Sequence, residues 1–222
     1  MKIVHSLEGM KITKENNKYN MEIHEGFQGI RNFILEVFSL YEVSTKANQS
    51  GVIQINARSI QPLSNFLTKK QNKLTYNLTV LLAHHLKLFV ELAEHDKKTL
   101  TYFDLDDIVV VDEKTFLFVN FAKLIPLLEN NGTHVFEPID KKIQFISPEL
   151  QKVKQLPSLV DSRSVYFSLG LLVVFCLFGE KIEINEKTDF KKLLPLIYYT
   201  PLYWFIVRAL EIEPSARTLV FM

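Results

Sequence analysis

Two kinds of side chain in the sequence could act as nucleophiles or metal ligands. The single cysteine, Cys176, lies in an uninterrupted apolar run, which predicts a small buried hydrophobe and no reactive thiol. His84 and His85 are adjacent within a predicted helix, where neighbouring side chains point in different directions. Because neither a cysteine nor a third histidine stands at ligand spacing from them, we expect structural or surface roles for both.

Bulk charge gives no indication of a nucleic-acid partner. The 222 residues include 26 Lys and Arg against 25 Asp and Glu, a net charge of +1, and 47% of the residues are hydrophobic. Proteins that bind nucleic acid are usually far more basic. Lys69, Lys70 and Lys73 form a small basic cluster, which we interpret as a solvated helix end and not as a phosphate site. We therefore expect a globular protein that does not bind nucleic acid.

The most apolar segment, residues 164–179, bears on membrane association. It is uncharged, but it is shorter than the ~20 residues that a spanning helix needs, so it favours a helix buried in a protein core. The N-terminal residues lack the continuous apolar stretch and cleavage site of a secretory signal. These features predict an intracellular protein, cytoplasmic or nuclear, without a membrane partner.

The first 57 residues predict a small mixed unit. Apolar residues recur at three- and four-residue intervals through residues 27–43, which indicates a helix. Alternating or β-branched patterns predict four short strands, at residues 2–6, 11–13, 19–24 and 52–55.

The rest of the chain is predicted to be mainly helical. Helices are expected at residues 63–69, 74–95, 164–178, 189–197 and 201–211. Two apolar runs, at 108–111 and 115–119, are separated by Asp112, Glu113 and Lys114, which is typical of a hairpin. Residues 56–61 are expected to be a linker and residues 123–146 to be rich in loops. The fold class predicted from these elements is α+β.

The segment 100–124, LTYFDLDDIVVVDEKTFLFVNFAKL, resembles the catalytic loop and metal-binding hairpin of protein kinases. In that family the pattern is H-R-D-L-x-x-x-N, followed by two short strands and D-F-G. Three further segments agree in order. Ser147-Pro148-Glu149 is similar to the A-P-E motif, residues 166–178 to the central helix that follows it, and EIEPSAR (211–217) to an acidic-x-Pro-x-x-Arg turn between late helices.

This resemblance implies a protein kinase-like bilobal fold. Residues 1–57 would form an abbreviated, mixed N-lobe, with the helix at 27–43 in the place of helix C, and residues 58–222 a mainly helical C-lobe. The trimmed N-lobe is similar in style to compact kinase homologues of large DNA viruses.

The same resemblance gives the candidate site residues. Asp104 would occupy the position of the H-R-D aspartate, whereas the histidine and arginine before it are replaced by Tyr102 and Phe103. Asp107 and Asn120 would occupy the two metal-ligand positions for Mg²⁺ and ATP, with carboxylate and amide exchanged relative to the family pattern. The alternative interpretation is that these side chains only cap the loop and bond the hairpin.

Two other parts of a kinase active site have no counterpart in the sequence. The first 50 residues contain no G-x-G-x-x-G spacing and no V-A-I-K-like strand lysine. Glu36 could be the carboxylate of helix C, but a surface glutamate is the simpler interpretation.

Scaffold positions are retained. Glu149 and Arg217 match two family positions that form a buried ion pair, so we expect a structural role for both. The aspartate that usually begins the central helix is replaced by Val165, or by Ser164 in a shifted register. We therefore expect that this helix does not hold the catalytic-loop backbone in the usual way.

These features together predict a pseudokinase, a catalytically impaired protein that acts as a protein-binding or regulatory module. It would need no cofactor, and its partner would be a protein such as a kinase or a kinase substrate. One alternative is an atypical active Ser/Thr kinase that uses Asp104 as base, Asp107 and Asn120 as exchanged ligands for Mg²⁺ and ATP, and Lys11, Lys14 or Lys18 on the phosphates. Another is a structural subunit of a larger assembly. The aromatic run from Tyr198 to Phe205 is interpreted mainly as core, with part of it available for docking.

Overall fold

The secondary structure follows the spacing of apolar residues along the chain. The computed structural model describes residues 1–16, 18–47, 52–139 and 144–221. Its strands are β1 (Lys2–Leu7), β2 (Met10–Glu15), β3 (Lys18–Ile23), β4 (Thr45–Ala47), β5 (Ile53–Ile55), β6 (Ile60–Pro62), β7 (Lys98–Thr99), β8 (Ile108–Val111), β9 (Thr115–Phe118), β10 (Ile125–Pro126), β11 (Gly132–Val135) and β12 (Ser158–Asp161). Its α-helices are α1 (Arg31–Leu40), α2 (Leu63–Lys69), α3 (Tyr76–His95), α4 (Pro148–Gln151), α5 (Ser164–Phe178), α6 (Phe190–Leu193) and α7 (Pro201–Ala209). The predicted α+β class is confirmed.

The first five strands form one antiparallel sheet in the order β1-β2-β3-β5-β4. Met10 and Ile12 of β2 and Tyr19 and Met21 of β3 are buried, so one face of the sheet is apolar, as the alternation in the sequence indicates. The strands predicted in the first 24 residues and near residue 53 are confirmed. Strand β4, Thr-Lys-Ala, was missed because it carries no apolar alternation.

Helix α1 connects this sheet to the helical part. It buries one face that includes Phe33, and the Phe33 ring meets the Phe89 ring of α3 edge-on, with the centroids 6.1 Å apart. The Tyr41 hydroxyl, just beyond the end of α1, donates to the carbonyl of His85 on α3 at 2.5 Å. Most buried apolar residues of the sheet and of the helical part belong to one continuous core.

A second sheet, in the order β6-β8-β9, lies beside α2 and α3. Strand β6 pairs with β8, so that Ile60 faces Val111. The expectation of a simple linker at residues 56–61 is therefore wrong at its end, where the chain already belongs to this sheet. The hairpin predicted at 108–119 is confirmed as β8 and β9.

Two small antiparallel ribbons lie in the region that was predicted to be loop-rich. Strand β10 pairs with β7, and β11 pairs with β12. Each strand has four residues or fewer, so no single segment carries a clear strand pattern. Residues 140–143 of this region lie outside the described residues.

Helix α5 is apolar on every side and forms the centre of the helical part. Gly170 allows α7 to approach it closely, because a Cβ at this position would lie 2.8 Å from side-chain atoms of Leu210. The α5 helix ends at Gly179, which adopts the left-handed conformation with φ of 79°. Within the described ranges, no helix combines the length and the apolar character needed to cross a bilayer.

The helix predicted at residues 189–197 is wrong as a single element. The chain forms the one-turn helix α6 and then a separate 3₁₀ turn that begins at Pro195. Proline lacks the N–H that would continue a helix and disfavours helical geometry at the residue before it, and Leu194 has φ of −121° and ψ of 46°.

Candidate functional site

The β8–β9 hairpin brings the central candidate residues together. Asp112 and Glu113 at its turn both have positive φ, 50° and 60°, a conformation that suits the twist of a tight hairpin. The register places Ile108 opposite Phe118, and beyond that pair the Val119 N–H donates to the Asp107 carbonyl at 2.8 Å. Asp107 and Asn120 therefore lie side by side at the open end of the hairpin, although 13 residues separate them in sequence.

The Asp107 carboxylate is enclosed by hydrogen-bond donors. The Asn120 Nδ2 donates to its Oδ1 at 2.7 Å, and the Asp104 N–H donates to its Oδ2 at 2.8 Å. The Lys123 ammonium lies 2.5 Å from the same Oδ2. The Asp107 side chain is only 4% exposed, so its charge is balanced inside the protein by Lys123.

Burial and contacts act in opposite directions on this carboxyl group. Burial raises the pKa of Asp107 above its usual range, because it disfavours the charged form. The Lys123 ammonium, the Asn120 amide and the Asp104 N–H each favour the charged form and lower the pKa, but burial outweighs them. Lys123 also lies over the Tyr102 ring, 4.1 Å from its centroid, so the ammonium is held between a carboxylate and an aromatic face.

Asp104 begins the short 3₁₀ turn that ends at Asp107. Its Oδ1 accepts the N–H of Leu105 at 2.6 Å, and the side chains of Asp104 and Asp107 form a reciprocal capping box. The structure thus gives Asp104 a local capping contact, and its side chain remains partly exposed.

The arrangement does not fit a divalent cation. Mg²⁺ requires several oxygen ligands, whereas the Asp107 oxygens here accept from nitrogen donors and an ammonium already lies against one of them. Among the residues that the structure describes, no three His, Cys, Asp or Glu side chains cluster closely enough to hold a metal ion.

Glu149 and Arg217 meet as a buried pair. Two guanidinium nitrogens of Arg217 donate to the two carboxylate oxygens of Glu149, at 2.5 and 2.9 Å. Arg217 also donates to the carbonyls of Glu211, Ile212 and Arg163, and its side chain is fully buried. This guanidinium therefore ties α4 to the start of α5 and to the turn after α7.

Helix α5 does hold the loop that contains Asp104, contrary to the expectation from the sequence. The Ser168 hydroxyl accepts the Phe103 N–H at 2.8 Å, and the Ser164 hydroxyl donates to the Thr101 carbonyl at 3.3 Å. Ser168 lies one helical turn beyond Ser164, so both hydroxyls face the loop although no aspartate begins the helix.

The space between the first sheet and the Asp104 loop is bridged by side chains. His5 of β1 hydrogen-bonds the Asp106 carbonyl through Nε2 at 2.7 Å. The Phe121 ring meets the Phe33 ring edge-on, with the centroids 6.3 Å apart. A cavity of about 970 Å³ lies elsewhere, lined only by residues of the helical part such as Ile146, Leu150 and Ile184.

The remaining candidate groups have structural or surface contacts. His85 Nδ1 accepts the Phe116 N–H at 3.2 Å, and burial lowers the pKa of His85 to about 4, with a smaller effect of His84. Complete burial raises the pKa of the Cys176 thiol. Glu36 is exposed, as the surface interpretation expects.

Lysines and aromatic residues also match their simpler interpretations in part. Lys69 donates to Gln61 and Lys70 forms an exposed ion pair with Glu113. In the aromatic run, Phe205 is buried in the core, whereas Tyr199 is 66% exposed.

Sequence reasoning missed Lys123 and Ser168. Lys123 follows Asn120 by three residues, and in a 3₁₀ turn such residues lie on the same side, which is the signal that could have identified it. Ser168 could have been found by following the face of α5 one turn from Ser164.

Comparison with known proteins adds no family to this geometry. No protein-family model matches the sequence, and no curated protein is similar enough to it to count as a match.

Proposed function

We propose that this chain is a kinase-like protein that has lost phosphoryl transfer and acts as a protein-binding or regulatory module. The observation that carries the proposal is the ion pair between Asp107 and Lys123, at 2.5 Å. In a phosphotransferase the corresponding carboxylate and amide hold Mg²⁺ on the nucleotide phosphates. Here an ammonium of the chain itself neutralises the carboxylate.

The arrangement of elements supports a bilobal kinase-like fold for this chain. A five-stranded antiparallel sheet with one connecting helix precedes a mainly helical part that contains the β8–β9 hairpin. The division at about residue 57 falls between β5 and β6. Glu149 and Arg217 are in contact, as the family pattern requires of a scaffold that is maintained.

The chemistry that remains at the site is binding and positioning. Phosphoryl transfer depends on aligned phosphates and neutralised charge, and without a metal ion the negative phosphates would approach buried carboxylates. The Asp104 carboxylate alone would supply a base with no bound nucleotide to serve. Loss of transfer with retention of the scaffold leaves the surface as the functional part, inside the cell, with a kinase or a kinase substrate as the partner.

Metal binding tests the role of Lys123 directly. We expect Mn²⁺ to leave the melting temperature of the wild-type chain unchanged and to raise that of Lys123→Ala, in which Asp107 loses its internal cation. Lys98→Ala is the matched control, because Lys98 also pairs with a carboxylate, Asp96, outside the site. Equal stabilisation of all three proteins by Mn²⁺ would show that Lys123 does not exclude the cation.

Nucleotide binding and transfer test the loss of activity. Titration with ATP and Mg²⁺ should not shift the melting temperature of the wild-type chain, and radiolabelled phosphate should not be transferred to a generic protein substrate. Stabilisation by ATP together with transfer that disappears in Asp104→Ala would instead establish an atypical kinase. In that case Asp107, Asn120 and a lysine such as Lys11, Lys14 or Lys18 would have to rearrange around the nucleotide.

A further inference from the structure

Strand β12 presents an unused edge. The Ser162 N–H donates to the Asn131 carbonyl, and this bond fixes which residues of the β11–β12 ribbon bond each other. Because bonded and non-bonded pairs alternate in an antiparallel ribbon, Ser158 and Val160 bond β11, whereas the backbone groups of Leu159 and Asp161 point away from it.

The opposite edge of the ribbon supports this alternation. Gly132 faces Asp161, so its carbonyl should point outward from β11, and it accepts the Leu128 N–H at 2.8 Å. The outward edge of β12 has no such partner. Within the described residues, neither the N–H nor the carbonyl of Leu159 or Asp161 has a hydrogen-bond partner on that side.

A groove runs along this edge. It has a volume of about 220 Å³ and is lined by all four residues of β12, with Val153, Lys152 and Pro214 among the residues of its other wall. Four strand residues span about 13 Å, which is enough to pair with an added strand of about four residues. The groove is therefore of a size and shape that an extended backbone can enter.

Side chains around the groove provide apolar contacts and one available charge. Leu159 is 64% exposed and Phe136, next to the end of β11, is 66% exposed. Glu149 and Asp161 are each paired with an arginine, so their charges are compensated. Lys152 is exposed and forms no ion pair with any described residue.

We propose that the groove along β12 binds an extended, acidic and apolar peptide segment of a protein partner, which adds as a strand to the β11–β12 ribbon. The backbone of Leu159 and Asp161 would supply up to four hydrogen bonds, and Leu159 and Val153 would contact apolar side chains of the peptide. Lys152 would pair with a carboxylate of the peptide, which selects an acidic segment over a basic one. This inference rests on the protein-binding part of the proposed function and is independent of the loss of phosphoryl transfer.

The test measures binding of defined peptides to the full-length chain by fluorescence anisotropy. The probe is a fluorescein-labelled heptapeptide of alternating valine and glutamate, and the controls are the same peptide N-methylated at every residue and a peptide of alternating valine and lysine. We expect saturable binding of the acidic probe and at least about tenfold weaker binding of both controls. Equal binding of the N-methylated probe would overturn the proposal, since strand addition requires the peptide N–H groups.

Two variants locate the binding to β12. Leu159→Pro removes an outward N–H and no bond to β11, and Lys152→Glu reverses the free charge; each should weaken binding of the acidic probe about tenfold or more. Lys154→Glu is the matched control for Lys152→Glu, because Lys154 is exposed but does not line this groove, and it should leave the affinity unchanged. If Leu159→Pro does not fold, the two lysine variants decide the matter, and equal affinities for them refute the proposal.

Two further results would also refute it. Dimerisation of the wild-type chain in sedimentation that Leu159→Pro abolishes would mean that a second copy occupies the edge. Absence of probe binding in a chain that also transfers no phosphate would leave the loss of activity intact and reject only the docking groove.

Discussion

The guanidinium of Arg217 is the most extensively bonded charged group in the described structure. It reaches both oxygens of Glu149 and three backbone carbonyls, and its side chain has no exposure to solvent. The Phe167 ring lies 4.9 Å from its central carbon. A charge buried in this way is stable only while every partner is present, because water cannot replace a lost one.

Glu149→Gln should therefore be strongly destabilising. It leaves the Arg217 charge buried without its counter-ion, and we expect a loss of about 3 kcal/mol in the free energy of unfolding, measured by urea denaturation. Glu91→Gln is the control, since Glu91 pairs with Lys87 on the exposed face of α3 and should cost less than about 0.5 kcal/mol. Similar losses in the two variants would mean that the buried pair contributes no more than a surface pair.

His85 should make the protein less stable in acid. Burial, with a smaller contribution from His84, lowers its pKa to about 4 in the folded state, against about 6.5 in the unfolded chain. Its contribution is full above pH 6.5 and is lost as the pH falls toward 4, because the unfolded state binds a proton that the folded state does not.

Partial exposure reduces the effect, so we expect about 1–2 kcal/mol between these pH values. The measurement is urea denaturation at pH 7 and pH 4.5 of the wild type, His85→Gln and His84→Gln. The pH-dependent loss should shrink in His85→Gln and persist in His84→Gln, whose histidine is exposed. A loss that is unchanged in His85→Gln would assign the acid sensitivity to other groups.

At the scale of elements, the sequence identified those whose pattern is long or strongly periodic. Helices α2 and α5 have the predicted limits, and the β8–β9 hairpin was recognised from its apolar runs and polar turn. Strands β4, β10, β11 and β12 were missed, because strands of two to four residues are defined by their partners and not by their own pattern. The same reason hid the groove along β12.

The candidate site was predictable only in part. Ladder register places Asp107 beside Asn120, and that proximity can be read from a hairpin once its turn is known. The position of the Lys123 ammonium depends on a 3₁₀ turn after the hairpin, and Ser168 contacts Phe103 across 65 residues of sequence. Contacts of this kind follow from packing and not from local spacing.

Close packing of α5 against α7 gives a prediction at this scale. Gly170→Ala would place a Cβ 2.8 Å from Leu210 and 3.1 Å from Ala209, so the helices must separate or repack. We expect the free energy of unfolding to fall by about 1–3 kcal/mol in spite of the better helix propensity of alanine. The control is Gly29→Ala, where a Cβ meets nothing within 4 Å and stability should change by less than about 1 kcal/mol. A neutral Gly170→Ala would indicate that the interface has room to adjust.

At the scale of the whole molecule, the first sheet and the helical part share a core. Phe33 of α1 packs edge-on against both Phe89 of α3 and Phe121 after β9, and Phe89 in turn packs against Phe118. These rings connect residues that come from both sides of the division near residue 57. A continuous core of this kind favours cooperative unfolding of both parts together.

Phe33→Ala should therefore destabilise both parts at once. Phe33 is 5% exposed, and its removal should cost about 3 kcal/mol or more. Fluorescence of Trp204, the only tryptophan, reports on α7, and hydrogen exchange of the β2 and β3 amides reports on the sheet. We expect the free energies of opening from both measurements to fall together in Phe33→Ala and to stay unchanged in Phe136→Ala, which removes an exposed ring. A fall confined to the sheet would show instead that residues 1–57 unfold independently of the helical part.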